Sequence, residues 1–161
     1  MKAHALVVLG LTLLAAALGP KRPVLAWNTS ASVPIGLYLI VSRPVQIGDY
    51  VLVRISGPMQ ALAERRNYVG ANMPLLKRVV ATEGDRVCRR GQALLVSGQH
   101  VAIALGIDQA GRPLPVWQGC HQLQHGQVFV LGKHPESFDS RYFGPIDREQ
   151  IAGAAIPLFI P

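Results

Sequence analysis

From residue 27 onward the chain alternates between short apolar runs and polar or turn-forming breaks. Runs rich in Val, Ile, Leu and Tyr at 36–43, 50–55, 75–82, 93–98, 100–105 and 127–132 are bounded by Gly, Pro, Asp and Ser, which is the pattern of β-strands. Turns at Gly48-Asp49, at Gly84-Asp85 and at Ser97-Gly98-Gln99 predict hairpin connections. Only 58–68 (PMQALAERRNY) has helical character, with polar residues on one side. The end of the chain, 151–161, predicts a last strand, placed at a sheet edge because Pro157 has no N–H to give to a ladder. The expected fold is mainly β, an antiparallel domain with one short helix. No internal repeat or low-complexity tract interrupts it.

The pattern before residue 27 is different. Residues 5–19 (ALVVLGLTLLAAALG) form an uninterrupted apolar run behind Lys2, stopped by Pro20. As a helix this run would be about 22 Å long, short of the roughly 30 Å hydrocarbon core of a bilayer. One reading is a cleaved signal peptide, with Ala15-Ala16-Ala17 or the VLA before Trp27 as small-residue cleavage sites. The other is a signal anchor extended by Val24, Leu25, Ala26 and Trp27, with Trp27 at the interface and Lys21 and Arg22 snorkelling. Both make 1–26 an amino-terminal signal or anchor and 27–161 an exported domain.

Composition narrows the class further. At 161 residues, with 50% hydrophobic and 16% charged residues, the chain supports one core and is too apolar for a disordered tail. Sixteen Lys and Arg against nine Asp and Glu give a net charge of +7, which fits an anionic partner without choosing between lipid and nucleic acid. Cys88 and Cys120 match no zinc spacing, and the five histidines are scattered, so neither a metal nor a cofactor is expected. If joined, the two cysteines would close a loop of about 32 residues, stabilising the fold by roughly 3–4 kcal/mol in an oxidising compartment. The stretch 106–119, with three Gly and two Pro, lies inside that loop and reads as a mobile insertion tied by the bridge.

The chain has no HExxH, GxSxG, P-loop or GxGxxG. Three segments remain. In 28–38 (NTSASVPIGLY), Pro34 and Gly36 force a rigid turn into a strand and could hold Ser32 in place, although Ser-x-Pro-x-Gly taken alone is an ordinary turn. In 75–85, Lys77 and Arg78 must face opposite sides of a strand, so one of them shares the packed face. A desolvated lysine there would fall from about 10.4 toward about 8, where a neutral amine can act as a general base, whereas a lysine snorkelling from an edge strand would not. In 137–144 (SFDSRYFG), Asp139 and Arg141 could pair and brace a loop.

Together and in this order, the segments resemble the type I signal peptidase superfamily, nearest its conjugative-transfer branch, the TraF-type pilin maturation peptidases. The likeness rests on an N-x-S-x-S-x-P-x-G-x-Y box at 28–38, a G-D-x-V-L-V strand at 48–53, a K-R-V-x-A-x-x-G-D box at 77–85 and an S-x-D-S-R-Y-x-G box at 137–144. It implies a signal-peptidase-like fold in which Ser32 is the nucleophile and Lys77 its general base. Ser30 would then supply the oxyanion-hole hydroxyl, while Ser137 orients the Lys77 amine and Asp139 with Arg141 braces the shell. It further implies a domain in the periplasm at a bacterial inner membrane, and a pilin precursor or other exported protein as substrate. In parts of that branch the precursor's own amino terminus attacks the acyl-enzyme to give a cyclic product. The chain departs from the general pattern in having Ser32-Val33-Pro34 where Ser-Met-x-Pro is usual, and Gly132-Lys133-His134 where Gly-Asp-Asn is usual. Two readings from other classes stand beside this one. The first is a catalytically silent scaffold of a conjugation or secretion apparatus. The second is a nucleic-acid binder using Arg65-Arg66, Lys77-Arg78 and Arg89-Arg90, disfavoured because no aromatic platform is interleaved with these charges.

Overall fold

The alternating runs become strands whose inward positions build two cores. The computed structural model describes residues 25–161. The apolar run at 5–19, with Lys21 and Arg22, lies outside the described residues, and among those described no helix is long and apolar enough to cross a membrane. Leu25 and Ala26, given above to the amino-terminal segment, instead pair with Leu39 and Tyr38 as part of strand β1 (Leu25–Asn28).

Eleven strands form two antiparallel sheets. The first has seven strands in the order β1-β2-β11-β3-β4-β9-β10. It comprises β1, β2 (Gly36–Val41), β3 (Tyr50–Val53), β4 (Leu75–Ala81), β9 (Gln127–Leu131), β10 (Ile146–Asp147) and β11 (Ile151–Phe159). The second has four strands in the order β7-β6-β5-β8, from β5 (Arg86–Arg90), β6 (Ala93–Val96), β7 (Gln99–Ile103) and β8 (Gly119–Gln122). The helix α1 (Gly57–Arg65) starts at Ser56 with Pro58 in its first turn, where a missing N–H costs nothing. It ends before residue 68 because Asn67 takes a left-handed conformation, with φ of 57°. A second, short helix α2 (Ser140–Phe143) follows Asp139.

Three expectations are corrected by topology. Only the Ser97-Gly98 turn closes a hairpin, between β6 and β7. The Gly48-Asp49 turn joins β2 to β3 with β11 lying between them, and the Gly84-Asp85 turn carries the chain from one sheet to the other. The last strand is interior rather than an edge, pairing with β3 over Ile151–Ala155 and with β2 over Ala154–Phe159. Pro157 is tolerated because it lies past the end of the β3 ladder, beside a register shift on β2. The stretch 106–119 is pinned rather than loose. Arg66 Nη1 donates to Pro113 O at 2.8 Å, Arg89 Nη1 to Pro115 O at 3.2 Å, and Trp117 Nε1 to Ser140 O at 3.1 Å, while Leu114 is buried.

The larger core unites both sheets through Val51, Val53, Val79, Val87, Leu94 and Phe129. A smaller one, with Tyr38, Leu52 and Leu76, lies on the other side of the seven-stranded sheet, with Val33 of the loop before β2 packed into it. Along β4, Leu75, Val79 and Ala81 join the larger core, so the alternation puts Lys77 on that same face and Arg78 outside. The face that the strand period assigns to Lys77 is therefore the dry one.

Candidate active site

Four chain segments deliver the site. The loop between β1 and β2 carries Ser32, β4 carries Lys77, the loop after β9 carries Ser137, and Asp139 and Arg141 flank the start of α2. Lys77 Nζ lies 2.8 Å from Ser32 Oγ and 2.6 Å from Ser137 Oγ, and the two hydroxyls are 2.9 Å apart. All three side chains are buried, Lys77 to 4% exposure. Burial pushes the Lys77 amine down to about 8, with the nearby Asp139 charge opposing that shift and the Arg141 charge adding to it. An amine that loses its proton near this pH, in contact with a hydroxyl, can take that hydroxyl's proton as the oxygen attacks. Because Ser137 also contacts both atoms, it restricts the amine to the arc facing Ser32.

The shell behind this triangle is charged and dry. Asp139, at 0% exposure, accepts from the N–H of Gly132 at 2.7 Å and of Arg141 at 3.0 Å, the latter capping α2. Burial raises the Asp139 pKa, while Arg141, Lys77 and these two N–H donors pull it back. Arg141 turns its guanidinium to three carbonyls, those of Gly132 at 2.7 Å, His134 at 2.9 Å and Pro135 at 2.6 Å. Its Nε, 3.6 Å from Asp139 Oδ1, is without a hydrogen-bond partner among the described residues. The pair thus clamps residues 132–135, the approach to Ser137. Arg89, 2% exposed, adds a brace from the second sheet by donating to Arg141 O at 2.7 Å.

Ser30 stands apart from the triangle. It is exposed at the cleft wall, and its hydroxyl donates to Asn28 Oδ1 at 3.1 Å. Cys88 and Cys120 are joined by a disulfide across the β5–β8 ladder, in the second sheet. The sequence reading assigned no role to Lys133 or Gly132. Lys133 N donates to Ser32 O at 2.6 Å, tying the nucleophile loop to the end of β9. Gly132 permits the triangle to close, since a Cβ there would sit 2.0 Å from Ser137 Oγ and 3.0 Å from Ser32 Cβ. A glycine directly after a strand, five residues before a candidate shell serine, was the available signal.

The triangle opens into a cleft of about 1520 Å³. Its lining includes Trp27 of β1, Met73, Leu75 and Leu105, with Asp108 and Leu114 from the pinned stretch. Asp108 holds that stretch in place, accepting from Tyr68 Oη and from Arg112 Nε, the latter at 2.7 Å. The lining of the cleft is mostly apolar.

The chain is similar to several known proteins. A plasmid transfer protein TraF of Escherichia coli is 34% identical over 169 residues, covering 97% of this chain and 94% of that protein. A probable conjugal transfer protein TraF of Sinorhizobium fredii is 37% identical over 142 residues, covering 80% and 73% respectively. Among solved structures, a signal peptidase I of Enterococcus faecalis V583 superposes on 71% of this chain and 98% of its own, with a TM-score of 0.41 and 19% identity. The family model described as signal peptidase, peptidase S26, matches residues 1–159. With a match over almost its whole length and a relative covered nearly end to end, the chain belongs to the signal peptidase family, peptidase S26.

Proposed function

We propose that this protein is a serine endopeptidase that processes an exported precursor, a conjugative pilin precursor in the first instance, by a Ser32/Lys77 dyad. The observation that carries the reading is the buried Lys77 amine 2.8 Å from Ser32 Oγ, with its pKa lowered to about 8. In the first step Ser32 Oγ attacks the scissile carbonyl and its proton passes to Nζ. The C–N bond then breaks and Nζ returns the proton to the leaving amine. In the second step a water, or the precursor's own amino terminus, attacks the acyl-enzyme while Lys77 again accepts the proton; the acyl–Oγ bond then breaks and Nζ returns the proton to Ser32 Oγ. The oxyanion is received by the Ser32 N–H together with the Ser30 hydroxyl, once that hydroxyl turns away from Asn28. A setting in conjugation is supported by the TraF relatives, whose names concern plasmid and conjugal transfer.

The envelope setting, with the catalytic domain in the periplasm and inner-membrane lipid as a contact, is supported by three features. The sequence has an apolar run at 5–19, and Cys88 and Cys120 form a disulfide. One edge of the large sheet also exposes Leu25, Trp27, Leu158 and Phe159. Neither a metal nor nucleic acid has a part in this reading.

The test is intact-mass analysis of a co-expressed candidate pilin precursor with wild type, Ser32→Ala, Ser30→Ala and Lys77→Ala. Loss of processing in Ser32→Ala and Lys77→Ala, with only weakening in Ser30→Ala, is the expected outcome, and a product one water lighter than the linear form marks cyclisation. Processing that survives Ser32→Ala overturns the dyad and favours a silent scaffold.

A further inference from the structure

One buried side chain organises the whole nucleophile loop. Asn28, the last residue of β1, points its amide into the turn that follows, and its two ends do different work. The Nδ2 group reaches three carbonyls, those of Ser30 at 2.8 Å, Val33 at 3.1 Å and Pro34 at 3.0 Å. The Oδ1 atom accepts both from the Ser30 N–H at 3.1 Å and from the Ser30 hydroxyl at 3.1 Å. Every one of these contacts falls between residues 30 and 34, so the loop is wrapped around a single amide with Ser32 at its centre. Its far end is fixed by the Tyr38 hydroxyl, which donates to the same Pro34 carbonyl at 2.6 Å.

The peptide plane explains how this wrapping can act on chemistry. A carbonyl held by Asn28 fixes the plane of its whole peptide unit, because the amide is planar: that of Ser30 turns the Ala31 N–H away, and that of Val33 sets the link to Pro34, which has no N–H. Gathering the Ser30 and Val33 carbonyls inward therefore sets the crank of the backbone on both sides of Ser32. Among the described residues, the Ser32 N–H itself meets no acceptor, and its carbonyl is taken by Lys133 N. From this geometry we infer that Asn28 is the positioning residue of the nucleophile: it sets the aim of the Ser32 hydroxyl and N–H, and holds the Ser30 hydroxyl in its resting orientation. This rests on the dyad reading of Ser32 and Lys77. Asn28 makes no hydrogen bond to Lys77 or Ser137, so it acts on where the oxygen stands and leaves the basicity of the amine alone.

An aspartate at position 28 keeps the acceptor for Ser30 but replaces the donor with a second oxygen facing three carbonyls. An alanine removes both ends. The experiment uses the full chain with the co-expressed pilin precursor, comparing wild type, Asn28→Ala, Asn28→Asp and Ser32→Ala. It measures kcat, KM and the pH profile, together with hydrogen–deuterium exchange of the protein. Asn28→Ala is expected to lower kcat by about 10²-fold, the scale of a reacting group displaced by about 1 Å, with KM within about twofold. Asn28→Asp is expected to be no better. The rising limb of the pH profile stays at the wild-type position in both, since the amine is unaffected. Exchange rises at Ser30 and Lys133 while β4 and β9 keep their protection.

A wild-type kcat in either Asn28 variant, with Ser32→Ala inactive, overturns the inference and leaves the dyad standing. A shifted pH limb would mean that Asn28 acts through Lys77, and faster exchange throughout β4 and β9 would make it a folding residue; each overturns the inference. Undiminished processing by Ser32→Ala removes the dyad reading, and this role with it.

Discussion

The two sheets are held together by different means, and the difference separates chemistry from stability. The seven-stranded sheet buries apolar side chains on both faces, and its interior can carry a lysine, an aspartate and an arginine among them. The four-stranded sheet is thin: β8 is exposed along its whole length and β7 along most of it. There the Cys88–Cys120 bridge and the buried Arg89 guanidinium, bound to the carbonyls of Gly91, Pro115 and Arg141, supply what apolar burial does not. The polar groups of the candidate site lie where packing is sufficient to hold them, and a covalent linkage with one hydrogen-bonded guanidinium appears where it is not.

Substitutions should therefore divide into those that cost activity and those that cost stability. The largest effect belongs to the dyad. Lys77→Met should reduce processing by about 10⁴-fold or more while the protein stays folded, because an uncharged chain of similar length replaces a buried cation. A thermal melt at neutral pH should find this variant at least as stable as wild type, and a lower Tm would break the comparison. Next comes the bridge. Cys88→Ser with Cys120→Ser should cost about 3–4 kcal/mol and lower Tm by roughly 10 °C, with kcat/KM well below the new Tm changed by less than a factor of three. A collapse of kcat at low temperature would show that the second sheet supports the chemistry directly.

Stability should also depend on pH through one site. The Lys77 amine has a folded pKa of about 8 against an ordinary value of 10.5, so between these pH values the unfolded chain binds more protons than the native one. The penalty, about 3 kcal/mol, is fully present below about pH 8 and fades as pH rises toward about 10.5, so this contribution increases stability across the window. Comparing denaturant titrations of wild type and Lys77→Met at pH 7 and pH 10 isolates it; an identical pH dependence in both would rule it out. Below about pH 8 kcat/KM should climb about tenfold per pH unit, and across the window above it should level off. The smallest effect expected is from Gly132→Ala. Its Cβ would meet Ser137 Oγ at 2.0 Å, forcing Ser137 aside, and should lower kcat by about 10²-fold while the melt moves little. Unchanged kcat would show that the triangle tolerates opening.

Strands β2 and β4 were legible as short apolar runs, GLYLIV and LLKRVVA, because both faces of the seven-stranded sheet bury apolar side chains. The polar strands β5 (RVCRR) and β8 (GCHQ) escaped that reading, since their strand character comes from pairing with each other and not from an apolar stripe. The candidate site was legible as residue types in ordered boxes, and Ser32, Lys77, Ser137, Asp139 and Arg141 do converge. The roles of Asn28, Arg89 and Gly132 were not. An amide, a guanidinium and a glycine carry no signal of their own until the chain places carbonyls or a hydroxyl against them.

What local order determined by itself is the β character of the domain, the turn that carries Ser32, and the placing of Lys77 and Arg78 on opposite sides of one strand. Only the tertiary structure decided that the last strand would enter between β2 and β3, and that the stretch 106–119 would become a fixed wall of the cleft. It alone brought a hydroxyl within 2.8 Å of an amine 45 residues away, and within 2.9 Å of a second hydroxyl 105 residues away. The physical reason is range. Strand period and turn chemistry act over a few residues, whereas desolvation of Lys77 and closure of the site need surfaces from distant segments packed together.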